Sequence, residues 1–173
     1  YSPQVYRTQI KSPAQLVVGS ARMLDVTLNE RALAVAMREL GQDLLYPPNV
    51  KGWDGGETWI NTTTLLMRYN FAGYLLSGEI PGAGGPPPPK GPARRFRLDR
   101  YGKPKHELNT LYGPDIAGDA PGLVNSLVGR LLQSKLESKA QQWLVEQAET
   151  TRVSERPTLV AHLIMSMPDY QLC

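Results

Sequence analysis

Apolar residues recur at helical spacing in six stretches of the chain, and turn-forming residues separate them. Ser12-Pro13 reads as a helix start, with Ser as the cap and Pro at the first helical position, where a missing N–H costs nothing. Leu16, Val17, Ser20, Met23 and Leu24 then share one face, which predicts a helix over 13–24. Thr27-Leu28-Asn29-Glu30 has the form of a capping box, and Leu28, Ala32, Leu33, Ala36, Met37 and Leu40 continue at the same period. That helix stops at Gly41 in a left-handed cap or runs one turn further toward Tyr46, and Pro47-Pro48 ends it. After a Pro- and Gly-dense loop over 47–60, Asn61 or a following Thr caps a third helix carrying Leu65, Leu66, Tyr69, Phe71 and Leu75 as far as Ser77.

The last third of the chain repeats the pattern. Leu123, Val124, Leu127, Val128, Leu131 and Leu132 form a strong amphipathic helix. Ala140, Trp143, Leu144 and Ala148 mark another over 137–148. Leu159, Val160, Leu163, Ile164 and Met167 mark a final one, which begins after Ser154 and Pro157 and stops near Pro168. No segment alternates as a strand would. The expected fold is therefore all-α, with about six helices in two helical blocks, 1–78 and 121–173, joined by a long Pro/Gly-rich basic linker or arm over 79–120.

That middle segment contains Gly82, Gly84, Gly85 and the run Pro86 to Pro89, and it lacks the periodic apolar face that would offset the entropy of ordering. Phe96, Leu98, Leu108, Leu111 and Tyr112 could still lay it against the body as an ordered arm. It also carries most of the charge asymmetry. Between Lys90 and His106 there are seven basic residues, Lys90, Arg94, Arg95, Arg97, Arg100, Lys103 and Lys105, against Asp99 alone. The whole chain is only +3, so the remainder is net negative. Such a run can track phosphates, with Phe96 and Tyr101 free to stack, but a solvated linker or an arm docked on acidic surface is the favoured reading, and no nucleic-acid partner is expected.

Several chemistries lack their residues. One cysteine, Cys173, and two histidines, His106 and His162, do not make a metal-binding pattern, and no metal or other cofactor is expected. Neither a Gly-x-Ser-x-Gly nucleophile turn nor a strand–Gly-rich loop–helix phosphate site is present. His162 is expected to be a partly buried, hydrogen-bonded histidine rather than a catalytic base. No stretch reaches the roughly 20 apolar residues of a spanning helix. The chain starts at Tyr1 without an initiator Met, which suggests a piece of a longer protein.

Gly41-Gln42-Asp43-Leu44-Leu45-Tyr46-Pro47-Pro48-Asn49-Val50-Lys51-Gly52-Trp53, continuing through Asp54-Gly55-Gly56 to Trp59-Ile60-Asn61 and Arg68-Tyr69-Asn70-Phe71, resembles the hallmark of the bacterial family known as domain of unknown function 1800. Ile10-Lys11-Ser12-Pro13 through Leu16-Val17-Val18-Gly19 is similar to the segment preceding that hallmark, and Leu163 to Leu172 to the family's C-terminus. The resemblance implies the C-terminal part of an exported or envelope protein several hundred residues long, without an established activity. It carries nothing over to the basic linker.

The candidate ligand-binding residues lie in that hallmark: Trp53, Asp54, Glu57, Trp59, Arg68 and Asn70. Two tryptophans flanking two carboxylates suit a glycan, with aromatic faces stacking on a ring and carboxylates accepting from hydroxyls, or an acid/base pair in a pocket. The structural alternative has glycines turning the chain, Trp rings filling gaps between helices, and Asp54 capping amides or pairing with Arg68. The expected function is a binding or assembly module at the cell envelope. Its partners would be the rest of the same protein, another envelope protein, a glycan or a second copy. The alternative is part of a hydrolase-type enzyme whose site other parts of the protein complete.

Overall fold

The computed structural model describes residues 7–79, 98–105, 109–113 and 116–173. The Pro/Gly run and Lys90, Arg94, Arg95, Phe96 and Arg97 of the basic stretch lie outside those residues, as do His106 and Leu108. The fold is all-α: among the described residues there is no strand, only two isolated antiparallel bridges, Ile10 with Leu172 and Thr27 with Lys105.

The N-terminal helices form where their caps and periodicity place them. Helix α1 spans Pro13–Met23; the Ser12 hydroxyl accepts from the Gln15 amide and the Gln15 side chain accepts from the Ser12 amide, so two amides left over at the helix start are satisfied reciprocally. Its end is a Schellman turn made without glycine, in which Asp25 takes the left-handed conformation and the Val26 amide donates to the Ala21 carbonyl. Helix α2 spans Glu30–Glu39 and ends in the same turn, here with Gly41 at the left-handed position. Its start differs from the expected box: Asn29 is the cap, accepting from the Arg31 amide, because Thr27 is already committed to a two-way backbone pair with Lys105. Helix α3 spans Thr62–Ser77, starts on a reciprocal Asn61–Thr64 cap and ends at left-handed Gly78.

Within the expected linker lies a one-turn helix α4, Asn109–Tyr112, which the sequence pattern does not predict; then come α5, Ala120–Leu132, α6, Ser138–Glu149, and α7, Arg156–Ser166. Helix α7 packs against α3, α5 and α6, while α1 packs on α2 and both lie on α3. One continuous core holds residues of both blocks, from Leu16 and Leu40 through Phe71 and Leu75 to Leu127, Leu144 and Ile164. Helix α3 buries Phe71 and Leu75 as its sequence suggests, but Leu65, Leu66 and Tyr69 are exposed, whereas Thr64 and Arg68 point inward. Trp143 on α6 is likewise nearly half exposed.

The described part of the arm is built into this body. Leu98 is fully buried, the Tyr74 hydroxyl donates to the Gly102 carbonyl at 2.7 Å, and Lys103 lies so close over Gly78 that a Cβ there would sit 3.1 Å from its side chain. Truncating a fully buried leucine leaves a cavity, so Leu98→Ala should lower unfolding free energy by about 2–5 kcal/mol in urea titration. A loss below about 0.5 kcal/mol, typical of exposed positions, would show that the arm is not part of the core.

Candidate functional site

The turn between α2 and α3 is a compact frame around one tryptophan. Gly41, Gly52, Gly55 and Gly56 all have positive φ, which lets the backbone fold tightly. Trp59 is 8% exposed and is enclosed by that backbone: a Cβ on Gly41 would lie 4.0 Å from its ring carbon, and one on Gly55 3.9 Å from its Nε1. The residue closes a single 3-10 turn, Gly56–Trp59, held by the Thr58 hydroxyl donating to the Gly55 carbonyl. Its own carbonyl accepts from the Thr64 hydroxyl at 3.0 Å, which ties the turn to the first turn of α3. Trp59 is therefore a brace between α2 and α3.

The other candidate residues are dispersed. Trp53 and Asn70 are half-buried; Asp54 and Glu57 are exposed. Arg68 does not pair with Asp54. It is 2% exposed and turned into the body, where one guanidinium nitrogen donates to Gln171 Oε1 at 3.0 Å and the other to the Lys11 carbonyl at 2.8 Å; its Nε has no partner among the described residues. Gln171 is held in turn by donating to the Met165 carbonyl. Burial lowers the Arg68 pKa to about 10, still far enough above neutrality that the group stays charged.

Around Arg68 the two ends of the described chain meet. The Lys11 amide donates to the Gln171 carbonyl and the Cys173 amide to the Gln9 carbonyl. Lys11 Nζ donates to the Tyr170 carbonyl and sits 3.9 Å from the centre of the Tyr170 ring. Arg7 pairs with Asp169 at 2.8 Å and also bonds Ser134. The Tyr170 hydroxyl is buried against Ser20 at 2.7 Å. Burial, reinforced by Arg7 and Arg68 and opposed by Cys173, lowers the Lys11 pKa to about 8. Lys11 and Gln171 were not among the sequence-derived candidates. No motif marks them, since their roles depend on a pairing across nearly the whole chain.

His162 on α7 is half-buried; its Nε2 lies 3.4 Å from the Tyr69 carbonyl and its ring packs on Tyr69 at 4.6 Å between centroids. Burial lowers its pKa. Among the described residues, no three His, Cys, Asp or Glu side chains are grouped to hold a metal ion, and no helix is long and apolar enough to cross a membrane.

The geometry thus defines an all-α domain with a braced inter-helical loop. The chain belongs to the family described as "Protein of unknown function (DUF1800)", whose model matches residues 1–172. No curated protein and no solved structure matches the chain.

Two outcomes follow. Trp59→Ala should cost about 3–5 kcal/mol in thermal or urea unfolding, as for other buried tryptophans, with Trp53→Ala costing clearly less and Asp54→Asn remaining within about 0.5 kcal/mol. Equal losses for the two tryptophans would contradict the bracing role of Trp59. For Lys11, the unfolded chain binds a proton up to about pH 10.5 and the folded chain only up to about pH 8. The stability contributed by the neutral amine is therefore present above the unfolded pKa and lost as pH falls through 8. Relative to Lys11→Met, the wild type should gain urea stability as pH rises from 8 to 10; parallel curves would refute the depressed pKa.

Proposed function

We propose that this domain is a binding and assembly module at the cell envelope and that it docks through the loop from Asp43 to Trp53. The observation that carries the reading is Leu45. This leucine is 97% exposed and has a φ of 64°. A branched side chain in the left-handed region costs roughly 1–2 kcal/mol, and Leu45 gains no packing within the chain to offset it. Backbone strain of this kind concentrates at sites that act on something else.

The neighbours of Leu45 support the same reading. Tyr46 and Val50 are exposed, Leu44 is nearly half exposed, and Pro47-Pro48 stiffens the segment between them. The Asn49 side chain accepts from the Lys51 amide and its carbonyl from the Gly52 amide, so the tip is a defined turn. A preformed apolar finger loses little entropy on docking and fits an apolar groove on a protein partner. Localisation at the envelope rests on the family resemblance drawn from the hallmark residues.

The test uses envelopes isolated from the source bacterium. The wild type should co-sediment with them, and Leu45→Glu and Val50→Glu should reduce binding at least tenfold without lowering the melting temperature. Leu45→Gly should keep or raise stability, since it relieves the left-handed strain, while still weakening binding. Failure of the wild type to sediment, or full binding by all three variants, would end the proposal.

A further inference from the structure

Away from the tryptophan frame, the second half of α3 and the first half of α7 border a cleft of about 550 Å³. That volume lies within the range of roughly 300–1,000 Å³ common to small-molecule sites. Gly73, Leu76 and Leu159 supply the apolar part of its lining. A glycine inside a helix weakens it, and here it leaves the cleft wall without a side chain. The polar part comes from Ser154, Glu155, Thr158 and His162, with Thr158 and His162 one turn apart on α7.

Two features restrict what could occupy this space. First, Glu155 is the only lining group with a formal charge at neutral pH, because burial favours the neutral His162 ring. Arg152 lies outside the lining and pairs with Glu155 at 3.8 Å, so an anion entering the cleft would have to compete with that carboxylate. Second, the hydroxyls of Ser154 and Thr158 make no hydrogen bond within the described residues and can both donate and accept. If His162 Nε2 donates to the Tyr69 carbonyl, its Nδ1 is left as an acceptor. The Tyr69 ring packs on His162 at 4.6 Å between centroids but is not itself part of the lining. An ammonium ligand would want a cage of aromatics or a second carboxylate, and neither lines the cleft.

An apolar floor and hydroxyl, carboxylate and imidazole groups arrayed along one helix face match a ring carrying several hydroxyls. We propose that the α3–α7 cleft binds an uncharged sugar unit, with Glu155, Thr158 and His162 hydrogen-bonding its hydroxyls and Leu76 and Leu159 packing on the apolar face of its ring. This site is separate from the docking loop and does not depend on it.

The experiment is an NMR titration of the full chain with four probes: methyl β-glucoside, N-acetylglucosamine, ethylammonium chloride and inorganic phosphate. At least one sugar should give saturable shifts at the His162 imidazole and the Thr158 amide below about 100 mM, in the weak range expected of a single sugar ring. Thr158→Val and Glu155→Gln each remove one hydrogen-bonding partner at a partly exposed position, and should weaken binding about tenfold with an unchanged melting temperature. The proposal is overturned if neither sugar gives a saturable shift, if ethylammonium or phosphate shifts the same resonances as strongly, or if both variants bind as the wild type does. Loss of envelope binding by the Leu45 variants with sugar binding retained would confirm that the two sites are independent.

Discussion

A buried guanidinium that meets no carboxylate among the described residues is the constraint around which the ends of this fold are arranged. Removing a cation from water costs several kcal/mol unless fixed polar groups replace the lost hydration. Arg68 finds those groups in the Lys11 carbonyl and the Gln171 side-chain oxygen. Lys11 lies just before α1, and Gln171 closes the 3-10 turn Pro168–Gln171 just after α7. Their positions are fixed because Arg68 needs both at once. The backbone pairs between residues 9–11 and 171–173 then follow, as does the placement of Lys11 against Tyr170.

Most of the helical framework was legible in the sequence because caps and period agree there. Ser12-Pro13, Gly41, Asn61 and the Leu/Val ladder of α5 each carry a local physical signal, and each lies where that signal puts it. The failures share one cause, which is tertiary demand overriding local pattern. Thr27 looked like a cap, but its backbone pairs with Lys105 far along the chain. Leu65, Leu66 and Tyr69 looked like a buried face, yet Arg68 and Thr64 turn that stretch of α3 the other way. A count of apolar residues could not anticipate a helix oriented by an arginine.

The site residues show the same division. The role of Trp59 was half legible: glycines at compatible spacing suggested a tight frame, and the structure shows which tryptophan the frame encloses. Arg68 was selected for its chemistry and proves to act in the interior, away from Asp54. Leu45 drew no notice as a single residue because an exposed leucine is unremarkable in a sequence; only its backbone angle sets it apart. Lys11 and Gln171 needed the three-dimensional pairing to become visible at all.

The meeting of the two ends also sets how the domain responds to tension. Residues 9–11 and 171–173 run antiparallel, with Gln9 bonded to Cys173 and Lys11 to Gln171. A pull outward on both ends loads these bonds from the open end, one after another, as a zipper is loaded, rather than all together as in shear. On the N-terminal side the Arg7 contacts with Asp169 and Ser134 are loaded first, then the Gln9–Cys173 pair and then the Lys11–Gln171 pair, while α1 and α7 stay packed. Small forces are thus absorbed at the margin, and the helical core bears load only after the zipper has opened.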